Sequence, residues 1–586
     1  MKTIPNISTP EVSFSPLFSN IGLVSPADYP GVKSLYLHYN RYSREVFDSF
    51  IRLPDGMALA PGDGTYLKWA GAGMAALLAF FDVDSFVFAC AGIDALTVPG
   101  SPAGGTTDVY GVFENDRLRL KGRSANGDAR DPDRYVAFSF SVDVKAGAAE
   151  YGDGKLTVKP DGNNRIELAF SFDAPDLSGQ TPSVLAERPL PSPASFSDAL
   201  KKSADYFALL RGALPEDDGS AEHALAVRAA DGLSHNLTKA GGRLSGHISM
   251  FPNRGEYPTH FLWDTAFTNL GIEPLNADIA AELLKTLFDT RRADGKIEQF
   301  ICSTWGRPDD TQPALLGWAA ERLLKIRPDD GFKISAAEAL YENNKWWLSQ
   351  RMTRFGVISC PSGLETGQDD SPRFDNGPTL AADMNGYLLS QLHATARFLA
   401  ETGSPGKSEE MTDAADRLER AILDILYDSE DNIFYDADPV TGAKIKIVGA
   451  SCFVPLWAGA DPGDGRAEDM IRRYLINEEY MFGEVPFPSV AYTEETYEHG
   501  HWWRGPTWLP MAWLMLETLE KYGFDAEAKE AKDRLYAMII GDGRLSELFD
   551  SETGKGMGSA DQSWTQGIFI KLYFELKNGE LSRRYS

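Results

Sequence analysis

The sequence predicts an α+β multidomain protein, with an antiparallel β-sandwich-like region over residues 1–188, a linker at 189–197 and a helical domain over residues 198–586. Three observations predict it. Large apolar residues alternate with small or polar ones through Tyr135–Val142 and again through Ile166–Phe172, the period-two pattern of half-buried strands. The segment Pro189-Leu190-Pro191-Ser192-Pro193 puts three prolines in five residues, which neither a helix nor a strand ladder can continue through. Beyond it the apolar period becomes helical and stays so to the end of the chain.

Turn formers separate the strands, as in Tyr151-Gly152-Asp153-Gly154-Lys155 and Asp161-Gly162-Asn163-Asn164. After the linker, Ser197 and Asp198 read as the N-cap of a helix running toward Leu210. Helical patterns cover residues 198–213, 221–238, 275–291, 311–326, 334–353, 379–402, 407–427, 464–476, 508–522, 524–539 and 562–577. Their loops alternate short and long, which suggests paired helices stacked round a ring. The long loops hold most of the Trp-Asp, Gly-Pro and Asp-Ser-Pro clusters, where a site on a rigid scaffold belongs.

A net charge of −28 repels phosphate backbones and anionic lipid, so nucleic acid and membranes are poor partners, whereas a neutral small molecule loses nothing by it. The N-terminal residues lack an apolar signal region, and Cys90, Cys302, Cys360 and Cys452 are scattered without metal or disulfide spacing. Both features lead us to expect a cytoplasmic protein with no metal and no cofactor. No phosphate-binding glycine loop, Gly-x-Ser-x-Gly elbow or His-Glu-x-x-His pair occurs. His499 and His501 read as loop residues. Asn236-Leu237-Thr238 fits a glycosylation sequon inside a helical pattern and is discounted.

Two segments are candidates for acid/base chemistry, the alternatives being that Asp370-Ser371 merely caps a turn and that Glu547 is a solvent-facing residue before one. In Glu365-Thr366-Gly367-Gln368-Asp369-Asp370-Ser371-Pro372-Arg373, the Ser-Pro step forbids a helix, so a loop can aim Asp369; Asp370 and Glu365 would raise its pKa by like-charge repulsion. Glu547 lies between Leu545 and Leu548-Phe549, a costly setting for a carboxylate without a task or partner. Cleaving a glycosidic bond needs such a pair, one carboxylic acid for the leaving oxygen and one carboxylate for water or carbon. Sugars present apolar ring faces and a belt of hydroxyls. The inventory Trp263, Asp264, Trp305, Gln312, Trp502, Trp503, Arg504, Trp508, Gln562 and Trp564 suits both.

The stretch from Arg254 to Phe267 resembles the sugar-binding segment of glycoside hydrolase family 63, which includes processing α-glucosidases and bacterial hydrolases of mannosylglycerate, glucosylglycerate and short α-glucosides. Thr311-Gln312-Pro313, Glu365 to Asp375, Asp383-Met384-Asn385, Trp503 to Trp508, and Glu547 with Gln562-Ser563-Trp564-Thr565 look like its remaining blocks, in the same order. The resemblance implies an (α/α)6 barrel over the helical domain and hydrolysis of an α-glycoside with inversion. Asp369 would be the acid and Glu547 the base. Tyr257, Trp263, Asp264, Gln312, Glu365, Arg373, Asp383, Trp502, Trp503, Arg504, Trp508, Gln562 and Trp564 would bind the substrate. Gln368 and Asp370 stand where the family more often has Met and Asn, and Thr366 where it often has Ser; these bear on the acid and on aglycone preference. The expected activity is release of a non-reducing-end glucose from a short α-linked oligosaccharide or small glycoside. The alternatives are trehalase or α-L-rhamnosidase-like activity on the same barrel, or a catalytically silent sugar-binding protein.

Overall fold

The computed structural model describes residues 21–24, 34–39, 45–52, 58–60, 67–71, 74–82, 85–91, 96–99, 106–114, 117–125, 135–152, 155–173, 196–239, 244, 246–253, 257, 259–301 and 306–578. The chain divides into two compact units, Met1–His260 with Cys302–Trp305, and Phe261–Ile301 with Gly306–Ser586. The expected linker at 189–197 lies almost wholly outside the described residues.

The first unit is built on an antiparallel eight-stranded sheet. Its strands lie in the order Ala58–Ala60, Leu67–Gly71, Met74–Asp82, Ser85–Ala91, Arg165–Asp173, Tyr135–Ala146, Arg117–Ala125 and Thr106–Glu114. Two three-stranded sheets accompany it, one from Ile21–Val24, Ser34–Tyr39 and Glu45–Arg52, the other from Ala148–Gly152, Lys155–Lys159 and Leu96–Pro99. The alternation seen in the sequence fixes register here. Leu118 faces Val142, Leu168 faces Phe88 and Ile166 faces Cys90, and all six are buried, so a one-residue slip would expose the whole set. At the turn before Arg165, the Asp161 carboxylate accepts from the N–H groups of Asn163 and Arg165, and Asn164 takes φ +58.

Helices α1 (Phe196–Arg211) and α2 (Ala221–Asn236) follow. The Ser220 hydroxyl caps α2 by accepting the His223 N–H at 3.0 Å, and Arg211 donates to the fully buried Asp231. By contact these helices belong to the first unit, because α1 lies against the Met74–Asp82 strand. By these contacts the first unit runs to His260. Asn236 is buried at the end of α2, a poor place for a glycan.

The second unit is helix-rich. Its helices are α3 (Leu262–Leu275), α4 (Ala277–Asp289), α5 (Leu316–Ile326), α6 (Asp330–Gln350), α7 (Gly363–Thr366), α8 (Ala382–Glu401), α9 (Pro405–Ile425), α10 (Val454–Ala458), α11 (Arg466–Met470), α12 (Leu509–Lys521), α13 (Asp525–Asp542) and α14 (Ser563–Tyr573). Helix α3 lies beside α5, α5 beside α8, α8 beside α10, α10 beside α12, α12 beside α14, and α14 beside α3. Helices α4, α6, α9 and α13 pack against members of that series.

Three of these helices escaped the sequence reading: α3, α10 and the single turn α7. In α3 every residue but Pro274 is buried, so no polar face marks a helical period. Helix α10 is one short buried turn carrying Pro455 in its first turn. Between α3 and α14 the backbones almost touch: a Cβ on Gly271 would lie 2.5 Å from the Gly567 Cα. No described helix is long and apolar enough to cross a membrane.

Candidate active site

Several expected site residues lie in the second unit at or just before a helix N-terminus. Asp264 is in the first turn of α3, Gln312 precedes α5, Asp383 is in the first turn of α8, and Trp508 and Gln562 are the N-cap residues of α12 and α14. Tyr257 belongs to the first unit, where its N–H donates to the Asn253 carbonyl. Trp305 lies outside the described residues.

Asp369 sits in the turn between α7 and the short 3-10 turn Pro372–Phe374, so the Ser371-Pro372 step places it on a loop as the sequence requires. Gly367 ends α7 in the left-handed region at φ +75, against the Trp263 ring. Water reaches the Asp369 side chain, yet protein crowds it. Poor solvation first, then the negative charge of Asp370, pushes its carboxyl up to about 7; Arg307 opposes the shift and Glu547 adds to it. Asp264 feels both Asp369 and Glu547 and, mainly through burial, is raised well above the usual carboxylate range. Three carboxyl groups from separate parts of the sequence thus share one electrostatic neighbourhood.

Glu547 is 3% exposed. Its Oε2 accepts from the Ser559 N–H at 2.9 Å and lies 3.1 Å from the Ser559 hydroxyl, contacts that fix its orientation. The Trp564 indole N–H donates to the Glu547 carbonyl, and Gln562 Oε1 lies 3.0 Å from the same Ser559 hydroxyl. Gly558 allows this close seat: it adopts φ +68, and a Cβ there would fall 2.6 Å from Glu547 Oε2. Leu545 and Asp561, flanking the two arms of the turn, also take positive φ.

The tryptophans form one cluster. Trp503 stacks on Trp508 at 3.8 Å, and Trp263, Trp502 and Trp564 meet this pair edge-on. Trp263, Trp503, Trp508 and Trp564 are buried, whereas Trp502 is partly exposed and therefore has ring surface to offer a sugar. Gln312 is buried with its Oε1 accepting the Trp263 N–H at 2.9 Å. Trp318 lies apart from this cluster, its indole N–H donating to Glu517. His499 and His501 each pair with a carboxylate, Asp550 and Asp370 respectively.

Some expected sugar ligands are spent within the protein. Glu365 is 0% exposed and is gripped by Arg351 at 2.6 and 3.2 Å. Arg373 is 4% exposed, bonding Asp383 at 2.9 Å and Asp436 at 2.8 Å. Asp383 also accepts from Gln368 at 2.9 Å. This correction has a physical reason: a buried charge needs its partners, and a guanidinium saturated by two carboxylates has little left for a ligand. Glu365, Arg373 and Asp383 thereby brace the turn that carries Asp369. Arg504 instead pairs with Asp375 and remains partly exposed.

Sequence reasoning missed Arg351, Asp436, Ser559 and Arg307. Arg307 and Asp436 are over fifty residues from the groups they serve, and Arg351 and Ser559 are over ten. The Gly556-Met557-Gly558-Ser559 turn was the one available signal for Ser559.

Residues 257–565, over half the chain, match the family model described as the mannosylglycerate hydrolase MGH1-like glycoside hydrolase domain. Mannosylglycerate hydrolase of Thermus thermophilus is 26% identical over 54% of this chain and 95% of its own length. Mannosylglycerate hydrolase MGH1 of Selaginella moellendorffii is 24% identical over 55% of this chain and 82% of its own. Among solved structures, the family 63 mannosylglycerate hydrolase from Thermus thermophilus in complex with Tris superposes with a TM-score of 0.53 at 22% identity, spanning 59% of this chain and 99% of that one.

Proposed function

Because the chain belongs to the mannosylglycerate hydrolase-like enzymes of glycoside hydrolase family 63, we propose that it is an inverting α-glycosidase releasing a non-reducing-end glucose from a short α-linked oligosaccharide or small glycoside. Asp369 donates its proton to the glycosidic oxygen as the bond to the anomeric carbon breaks. Glu547 takes a proton from the water that forms the new bond to that carbon on the opposite face, so the sugar leaves as the β anomer. The observation that carries this reading is that Asp369, its carboxyl raised to about 7 by poor solvation and like charge, feels the charge of Glu547, a buried carboxylate held by the Ser559 N–H. Asp264 and Arg504 are the binding groups this reading keeps at the released sugar, and Trp502 offers ring surface to the substrate.

The cyclic succession of neighbours α3, α5, α8, α10, α12 and α14 supports an (α/α)6 barrel as the scaffold. The antiparallel sheets support a separate β-sandwich-like N-terminal domain. A cytoplasmic location fits the buried, unpaired Cys90, Cys360 and Cys452.

The test is product release, with anomeric configuration read by NMR, from α-linked disaccharides, trehalose, glucosylglycerate and mannosylglycerate. Release of β-glucose by the wild type, lost in Asp369→Asn and in Glu547→Gln, is the expected result. Activity surviving in both variants would overturn the assignment of the pair. Release of the α anomer would overturn inversion, and mannose in place of glucose would overturn the sugar assignment.

A further inference from the structure

The segment Glu498–Arg504 is tied to both catalytic loops. On one side Asp370 Oδ1 accepts the Trp503 N–H at 2.9 Å, and Asp370 Oδ2 lies 3.1 Å from His501 Nε2 and 4.0 Å from Arg504 Nε. On the other, His499 Nδ1 is 2.6 Å from Asp550 Oδ2, and the Thr553 N–H and hydroxyl fix Asp550 at 2.8 and 2.9 Å. Directly after His501 the chain turns into Trp502 at φ +34, a conformation a large side chain keeps only where its surroundings enforce it. Trp502 is also the partly exposed member of the tryptophan cluster.

We propose that Asp370 is a positioning residue for the hydrolytic reaction: by holding the backbone at Trp503 and the ring of His501, it fixes Trp502 as the wall against which the aglycone is seated. The inference rests on Asp369 being the acid. An acid stands over the leaving oxygen, so whatever the next residue anchors borders the leaving group rather than the sugar that departs with water. A flat indole there offers an apolar face to the aglycone. An asparagine at this position would keep the acceptor for Trp503 but not the charge, so the carboxylate adds something the neutral amide lacks: a second anionic oxygen against the His501 ring and a negative charge beside Asp369. The charged groups facing Asp370 are His501, Arg504 and Asp369; Glu498 faces His501, Asp375 faces Arg504, and Arg307 and Glu547 face Asp369.

Two variants separate anchoring from charge. Asp370→Ala removes both, whereas Asp370→Asn keeps an oxygen for the Trp503 N–H. Acrylamide quenching of the Trp502 emission, isolated by subtracting Trp502→Phe, is read without substrate. Kinetics are then read on whichever glycoside the wild type cleaves. In Asp370→Ala, Trp502 should quench about twofold more readily and KM should rise about tenfold, with a smaller fall in kcat. Asp370→Asn should restore quenching and KM to near wild type, while the basic limb of kcat/KM moves to lower pH because a like charge beside the acid is gone. Trp502→Ala should reproduce the KM rise, and combining it with Asp370→Ala should add little.

Unchanged quenching and KM in Asp370→Ala would overturn the proposal, as would an Asp370→Asn variant as impaired as the alanine. The quenching arm does not depend on turnover. Failure of every glycoside in the panel would therefore count against the proposed function alone, and normal quenching in active Asp370→Ala would count against the anchor alone.

Discussion

Replacing Arg373 with methionine removes the guanidinium that lies between Asp383 and Asp436 while keeping most of the side-chain volume. Asp383 is 0% exposed and Asp436 is 3% exposed, and Arg373 reaches them at 2.9 and 2.8 Å. Breaking a buried ion pair by deleting one member costs about 3–5 kcal/mol, and one cation here serves two carboxylates, which places the expected loss at the upper end. Burial already raises Asp436 in the intact protein, with Arg373 opposing that rise, so in the variant its carboxyl takes up a proton and limits the loss. A carboxyl whose folded pKa lies above its unfolded value loses stability as pH rises. The deficit should therefore be largest at pH 7–8 and shrink toward pH 5. Urea unfolding followed by near-UV circular dichroism at pH 5, 7 and 8 measures it. A deficit below about 1 kcal/mol at pH 7, within the range of ordinary surface substitutions, would refute the reasoning. So would a deficit that grows on acidification.

Two further outcomes follow from the geometry. The general acid must be protonated in the free enzyme, and Asp369 is pushed up to about 7, so kcat/KM should fall above pH 7; a profile flat to pH 9 would remove Asp369 from that role. Gly271→Ala would drive a Cβ to 2.5 Å from the Gly567 backbone, which cannot move aside as a side-chain tip could. Overpacking of that kind costs about 1–3 kcal/mol. A thermal midpoint equal to wild type would show that α3 and α14 do not approach so closely.

The local setting of the two candidate carboxylates was legible in the sequence. The Ser371-Pro372 step really does hold Asp369 on a turn, and Leu545 to Phe549 does bury Glu547. Arg373 and Asp383 read as sugar ligands because a charged residue in a site-like motif looks the same whether it faces a ligand or another residue; in the structure they face each other. The difference lies in Asp436, over fifty residues further along the chain. Tryptophans posed the same problem. Trp263, Trp502, Trp503, Trp508 and Trp564 are indistinguishable in sequence, yet of these Trp502 alone has the exposure of a platform.

The sequence by itself determined the strand alternation, most helices of the second unit, the loop character of the acid segment and the family to which these motifs belong. These are short-range properties, set by side-chain period, turn chemistry and the φ limits of proline and glycine. Tertiary structure decided what distance along the chain conceals. It buried α3 on all sides and so erased its helical period, and it grouped α1 and α2 with the strands. It also brought the charges of Asp369 and Glu547 to bear on Asp264, and that of Glu547 to bear on Asp369, although the three lie far apart in the sequence.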